Sequence, residues 1–92
     1  MTGQATVERE LALMKINAPI QRRPEIMALV DSFEARILDA GINTMVLELA
    51  GPPAKVDTFI EAVRPFGIKE AMRSGTIAMV RGASEQVALR EA

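Results

Sequence analysis

A chain of 92 residues with 11 basic and 12 acidic side chains has a formal charge of −1, too little to draw in a nucleic-acid backbone or an anionic membrane. Cysteine and histidine are both absent, which excludes disulfides, thiolate metal sites, cysteine nucleophiles, the usual general base near neutral pH and the commonest nitrogen ligand for metals. Hydrophobic residues at 49% against 25% charged describe one globular domain. Its apolar runs fall short of the about 20 residues of a membrane helix and its start has no signal-peptide pattern, so the default location is cytoplasmic.

Residues 1–6 are small, polar and aperiodic, and are expected to be a disordered leader or linker remnant, with the domain running from Val7 to Gly82. Glu8, Arg9 and Glu10 alternate in sign and read as solvated side chains or a local ion pair ahead of the first strand. The following ELALMKINA is apolar on both alternating faces, with Ala12, Met14 and Ile16 on one and Leu11 and Leu13 on the other, as in a central strand. Pro24 suits the first turn of a helix whose stripe is Ile26, Leu29, Val30 and Phe33. A hairpin is then expected, with strands near Arg36–Ala40 and Asn43–Ala50, turned by Gly41 and Asn43, both of which tolerate positive φ.

Gly51, Pro52 and Pro53 break the strand and open a second helix with Val56, Phe59, Ile60 and Val63 as its stripe, and Pro65 and Gly67 stop it. IKEAMRS and TIAMVR read as two extended segments joined at Ser74 and Gly75, where a hairpin and a bulge both remain open. The tail, 83–92, could form a short helix capped by Ser84. The order predicts an α+β, ferredoxin-like βαββαβ antiparallel sheet with two helices on one face, plus an extra C-terminal strand.

The other sheet face is then the informative one. If Met45, Leu47 and Leu49 point to the helices, Thr44, Val46 and Glu48 point away, and Leu11, Leu13 and Lys15 join them. Such a half-apolar face on a small domain suggests a subunit or domain interface, and a homodimer through the open face or a strand edge is expected. The three Phe residues fall on or just beyond helix stripes, and Tyr and Trp are absent, so the face lacks the aromatics that stack RNA bases.

No residue is assigned to catalysis or to a metal. Ser74 has no histidine base, and the scattered carboxylates have no metal-loop spacing. Arg22 and Arg23 before a helix could hold an anion, but NAPIQRRP lacks the glycines of an acylphosphatase-like loop. In RSGT the glycine permits a turn or bulge, with Ser74 satisfying a local backbone group.

The runs VERELALMK (7–15) and RPFGIKEAMRSG (64–75), with FEARILD (33–39) between them, resemble the C-terminal domain of the small, regulatory subunit of acetolactate synthase (acetohydroxyacid synthase). The resemblance covers Val7 to Gly82. It implies a non-catalytic domain that binds the large catalytic subunit, raises its activity and confers feedback inhibition by branched-chain amino acids such as valine. It also implies that thiamine diphosphate, Mg and FAD belong to the catalytic partner, with no cofactor in this chain. In that family an N-terminal ACT domain carries the effector loop; this sequence has no counterpart of it, and no effector-binding residue is identified. The resemblance marks Arg73, Ser74 and Gly75 as a signature at a strand kink, with Arg73 a candidate for an intersubunit contact. An alternative reading is a free-standing ACT-like module that takes an amino acid near Arg22 and Arg23.

Overall fold

The computed structural model describes residues 6–82. Strand β1 (Thr6–Asn17) leads through a 3-10 turn into helix α1 (Arg23–Phe33), then β2 (Arg36–Ala40), β3 (Thr44–Gly51), α2 (Pro53–Val63), a second 3-10 turn, β4 (Ile68–Arg73) and β5 (Ile77–Val80). All pairings are antiparallel and the sheet order is β2-β3-β1-β4, with β5 also paired to β1. This is the ferredoxin-like arrangement the sequence predicts.

The core sits between the helices and one sheet face. Ala12, Met14 and Ile16 of β1 and Met45, Leu47 and Leu49 of β3 alternate inward, and Ile26, Val30, Val56, Phe59 and Val63 meet them from the helices. Phe59 is fully buried and its ring tilts against Phe33 at 5.1 Å between centroids, within the range favourable for aromatic pairs. All three phenylalanines therefore serve packing.

Local chemistry places the breaks. Both helices carry Pro in the first turn, where no backbone N–H is needed. Helix α1 ends in a Schellman pattern: Glu34 is left-handed at φ 59°, its N–H donating toward Asp31 O and Val30 O, and the Ala35 N–H donates to Val30 O at 2.9 Å. Gly67 has φ +95°, a backbone conformation that favours glycine, and a Cβ there would lie 2.4 Å from Asn17 Nδ2, so a larger residue at the entry to β4 would be strained and would displace the Asn17 side chain.

Two expectations change. The hairpin between β2 and β3 turns without positive φ at Gly41 or Asn43. Instead Arg23 ties the loop down: its guanidinium donates to the Gly41 and Ile42 carbonyls and, through Nε, to Ala18 O at 2.9 Å. Glu8, Arg9 and Glu10 do not precede the first strand but lie within it, and Glu10 is buried. The tail 83–92, with its proposed cap at Ser84, lies outside the described residues.

Strand β1 serves two parts of the sheet: its second half is central, while its first four residues, Thr6–Arg9, pair only with β5, Thr6 opposite Val80 and Arg9 opposite Ile77. These two segments form an arm beyond the end of the helices.

Candidate protein interface

The Ser74–Gly75 kink is a bulge, not a hairpin. β4 and β5 run in succession along β1, and the line is held through the kink by the Ser74 N–H donating to Leu11 O at 2.9 Å and the Leu11 N–H donating to Ser74 Oγ at 3.0 Å. The Ser74 hydroxyl donates in turn to Gly75 O at 2.9 Å. A side-chain oxygen thus replaces one backbone acceptor of the ladder, and Gly75, at φ +85° with open space around its Cα, makes the bend.

The bulge shifts the register by one residue. Ala12 faces Arg73 in β4, but Arg9 faces Ile77 in β5, and a one-residue slip exchanges the two sheet faces. Ile77 and Met79 are thereby delivered to the face that carries Val7, Leu11 and Leu13, opposite the helices. They are 74% and 75% exposed. Without the extra residue, Ala78 and Val80 would stand there instead.

The open face is continuous from arm to body. Leu11, Leu13 and Lys15 on β1 flank Val46 on β3 and Met72 on β4, so four of the residues that the alternation nominated do lie together: Leu11, Leu13, Lys15 and Val46. Met72 is 70% exposed beside them. Lys15 pairs with Glu70 at 3.4 Å, across the neighbouring strand. Ser74 and Gly75 lie at the boundary between arm and body and shape the surface through the backbone. The place of Ile77 and Met79 on the open face is not legible from the sequence, because a reading that leaves hairpin and bulge open does not contain the register shift.

Arg73 belongs to the opposite face. It is opposite Ala12 in register and reaches Glu10, with Nε 3.1 Å from one carboxylate oxygen and Nη2 closing on the other, while Nη1 donates to Asp57 of α2 at 2.7 Å. Hydrogen bonds from Arg73 are the main cause that holds the Glu10 carboxyl below its ordinary value, and Glu10 and Asp57 hold the guanidinium above its own. Arg73 thus clamps the arm root to α2 within the chain. Glu10 and Asp57 carried no signal taken alone; the signal for Glu10 was its place in the even-numbered series that continues as Ala12, Met14 and Ile16.

The arginines before α1 are also engaged internally. Arg23 holds three carbonyls. Arg22 stacks over Phe66 at 4.2 Å from the ring centre, and its Nε approaches Glu25 at 3.3 Å. No group of three or more carboxylates is spaced to hold a metal ion, and no helix is long and apolar enough to cross a membrane, among the described residues.

Comparison with known proteins bears on this surface. The family profile described as the small subunit of acetolactate synthase matches residues 9–82. The chain is 44% identical over 79 residues to a probable acetolactate synthase small subunit of Archaeoglobus fulgidus, covering 86% of this chain and 50% of that protein. It is 36% identical over 86 residues to the acetolactate synthase small subunit of Bacillus subtilis, covering 94% of this chain and 50% of the relative. The crystal structure of the small subunit from Thermotoga maritima superposes with a TM-score of 0.80 at 33% identity, over 85% of this chain and 48% of that one. The chain therefore spans about half the length of these relatives. With the profile covering the sheet, both helices and the bulge, the chain belongs to the acetolactate synthase small-subunit family.

Proposed function

We propose that this domain is a non-catalytic, cytoplasmic regulatory module that associates with the catalytic subunit of acetolactate synthase in branched-chain amino acid biosynthesis and supports assembly, activation and feedback control. The observation that carries this reading is the uncovered apolar surface: a sheet face and an arm on which Leu11, Met72, Ile77 and Met79 stand exposed, more than a free monomer of this size needs to present. Family membership supports reading acetolactate synthase as the enzyme such a surface would serve. In this reading thiamine diphosphate, Mg and FAD reside on the catalytic partner, and this chain contributes contacts alone.

Regulation through such contacts requires that the domain bind the active and inhibited forms of the enzyme unequally, since equal binding shifts neither population. The test is reconstitution. Mixed at micromolar concentration with the catalytic subunit of the same organism, the chain, or a longer form of its relatives' length, should co-elute and change turnover or valine sensitivity. If neither form associates, the reading fails.

A further inference from the structure

We propose that the end of the domain away from the arm carries a separate contact for the catalytic subunit: an apolar tip of Ile20 and Ile42, pinned by Arg23, that seats on a segment bearing a carboxylate beside an apolar pocket. The partner's identity rests on the proposed function; the place and chemistry of the contact rest on the residues at this end of the chain.

Two loops meet where β1 ends. The 12 residues of β1 carry the chain about 40 Å from the arm tip, to the segment 18–22 and the β2–β3 turn. There the Ala18 N–H donates to Asn43 O at 2.7 Å and the Gly41 N–H to Thr44 O at 2.8 Å. Arg23 then ties the loops to each other, Nε donating to Ala18 O at 2.9 Å and Nη2 to Ile42 O at 3.0 Å and to the Gly41 carbonyl. One guanidinium that reaches carbonyls of both loops sets them side by side and fixes their backbones.

The side chains held in this way are apolar and face water. Ile20 is 70% and Ile42 83% exposed, and Met27, one turn beyond Arg23 on α1, is also exposed. Ile42 sits in a short turn where Asn, Asp or Gly is the usual choice, and its side chain adds nothing to the core. A β-branched side chain on a pinned backbone has little freedom left to lose on docking, which suits it to anchor in a partner's pocket. This end shares no residue with the open sheet face, so it stays available whatever covers that face.

Charge sets the sign of the partner. Arg23 makes no ion pair among the described residues, and only carbonyl dipoles meet its charge. The other ionised groups at this end are already matched or turned away. Arg22 pairs with Glu25 and Arg64 with Glu61; Asp39, two residues before the turn, stands opposite Val46 on the open face; Asp31 lies two turns along α1 from Arg23, about 12 Å. Arg23 Nη1 has no hydrogen-bond partner among the described residues, and none of their side-chain nitrogens is both buried and unpartnered, so Nη1 opens to the surface. A carboxylate that reaches Nη1 while Ile42 enters an apolar pocket matches both the charge and the surface. A basic segment would meet an unscreened cation there.

Calorimetric titration of the intact chain, or of a longer form of its relatives' length, into the catalytic subunit of the same organism tests this. Ile20→Ser combined with Ile42→Ser should raise Kd about tenfold or more, with the far-UV spectrum and the chain's own sedimentation unchanged. Ile42→Asp should raise Kd about threefold or more beyond Ile42→Lys, because a new anion repels the partner's carboxylate and a new cation does not. Wild-type binding that the double serine variant leaves within about twofold, or a Lys variant as weak as the Asp variant, would overturn this contact and leave the proposed function standing. A wild-type chain that binds in neither form would overturn that function, and this contact with it.

Discussion

Arg73 grips Glu10 across 63 residues of sequence, at the point where the arm leaves the body of the sheet. The Glu10 side chain is only 6% exposed, so its charge is tolerated only because the guanidinium meets both carboxylate oxygens. Folded Glu10 titrates below its ordinary value of 4.5. A carboxylate with a depressed folded pKa stabilises the fold fully above its unfolded value and loses that contribution as pH falls through the folded one. Thermal unfolding should therefore be flat with respect to this group above about pH 5, then lose Tm as pH drops below 4.5. Glu10→Gln should flatten that acid limb; an unchanged limb would mean that Glu10 is not a controlling group.

Removing Arg73 alone should cost more than removing both partners. Arg73→Ala strands a buried carboxylate, whereas Arg73→Met with Glu10→Met replaces the pair by apolar bulk of similar reach. The single variant should lower Tm by several degrees near neutral pH, and the double variant should recover most of the loss. If the double variant is as unstable as the single, the pair is not what holds the arm root. This places Arg73 in the fold first; any effect of Arg73→Ala on assembly should follow from a displaced arm.

The ferredoxin-like topology was legible because each element carries its own periodic signal. The stripe Val56, Phe59, Ile60, Val63 is helical, Met45, Leu47, Leu49 is alternating, and Pro24 and Pro53 mark the helix starts. The open-face residues Leu11, Leu13, Lys15 and Val46 followed from the same alternation. What stayed hidden depends on pairing. The role of Arg73 is set by Glu10 and Asp57, distant in sequence, and the facing of Ile77 and Met79 by one inserted residue at the bulge. The β2–β3 turn was misread for a related reason: Arg23, 18 residues before Gly41, supplies the restraint that glycine and asparagine were expected to provide through positive φ.

The bulge makes a separate prediction. Gly75 at φ +85° has open space where a Cβ would sit, so Gly75→Val meets no clash and its cost is conformational, about 1–2 kcal/mol for a side chain forced to positive φ. That cost falls on the arm. Amide exchange at Val7 and Arg9 should quicken roughly tenfold or more, while Met14, deep in the sheet, keeps its protection. Equal acceleration at all three amides would mean that the arm and body open as one unit.

Glu34 offers the converse case, a non-glycine residue where glycine is preferred. At φ 59° it closes the Schellman turn of α1, and left-handed backbone costs a residue with a Cβ about 1 kcal/mol. Its side chain returns little: it is 86% exposed and its ion pair with Lys55 stands at 3.6 Å, a surface contact of small worth. Glu34→Gly should therefore stabilise the domain by roughly 0.5–1 kcal/mol, net of the extra freedom glycine brings to the unfolded chain. Urea unfolding of the two chains under conditions that hold the oligomeric state fixed would measure it as a higher midpoint at unchanged slope. A lower midpoint would mean that the Lys55 contact, or the stiffness of a non-glycine chain, outweighs the backbone strain at this turn.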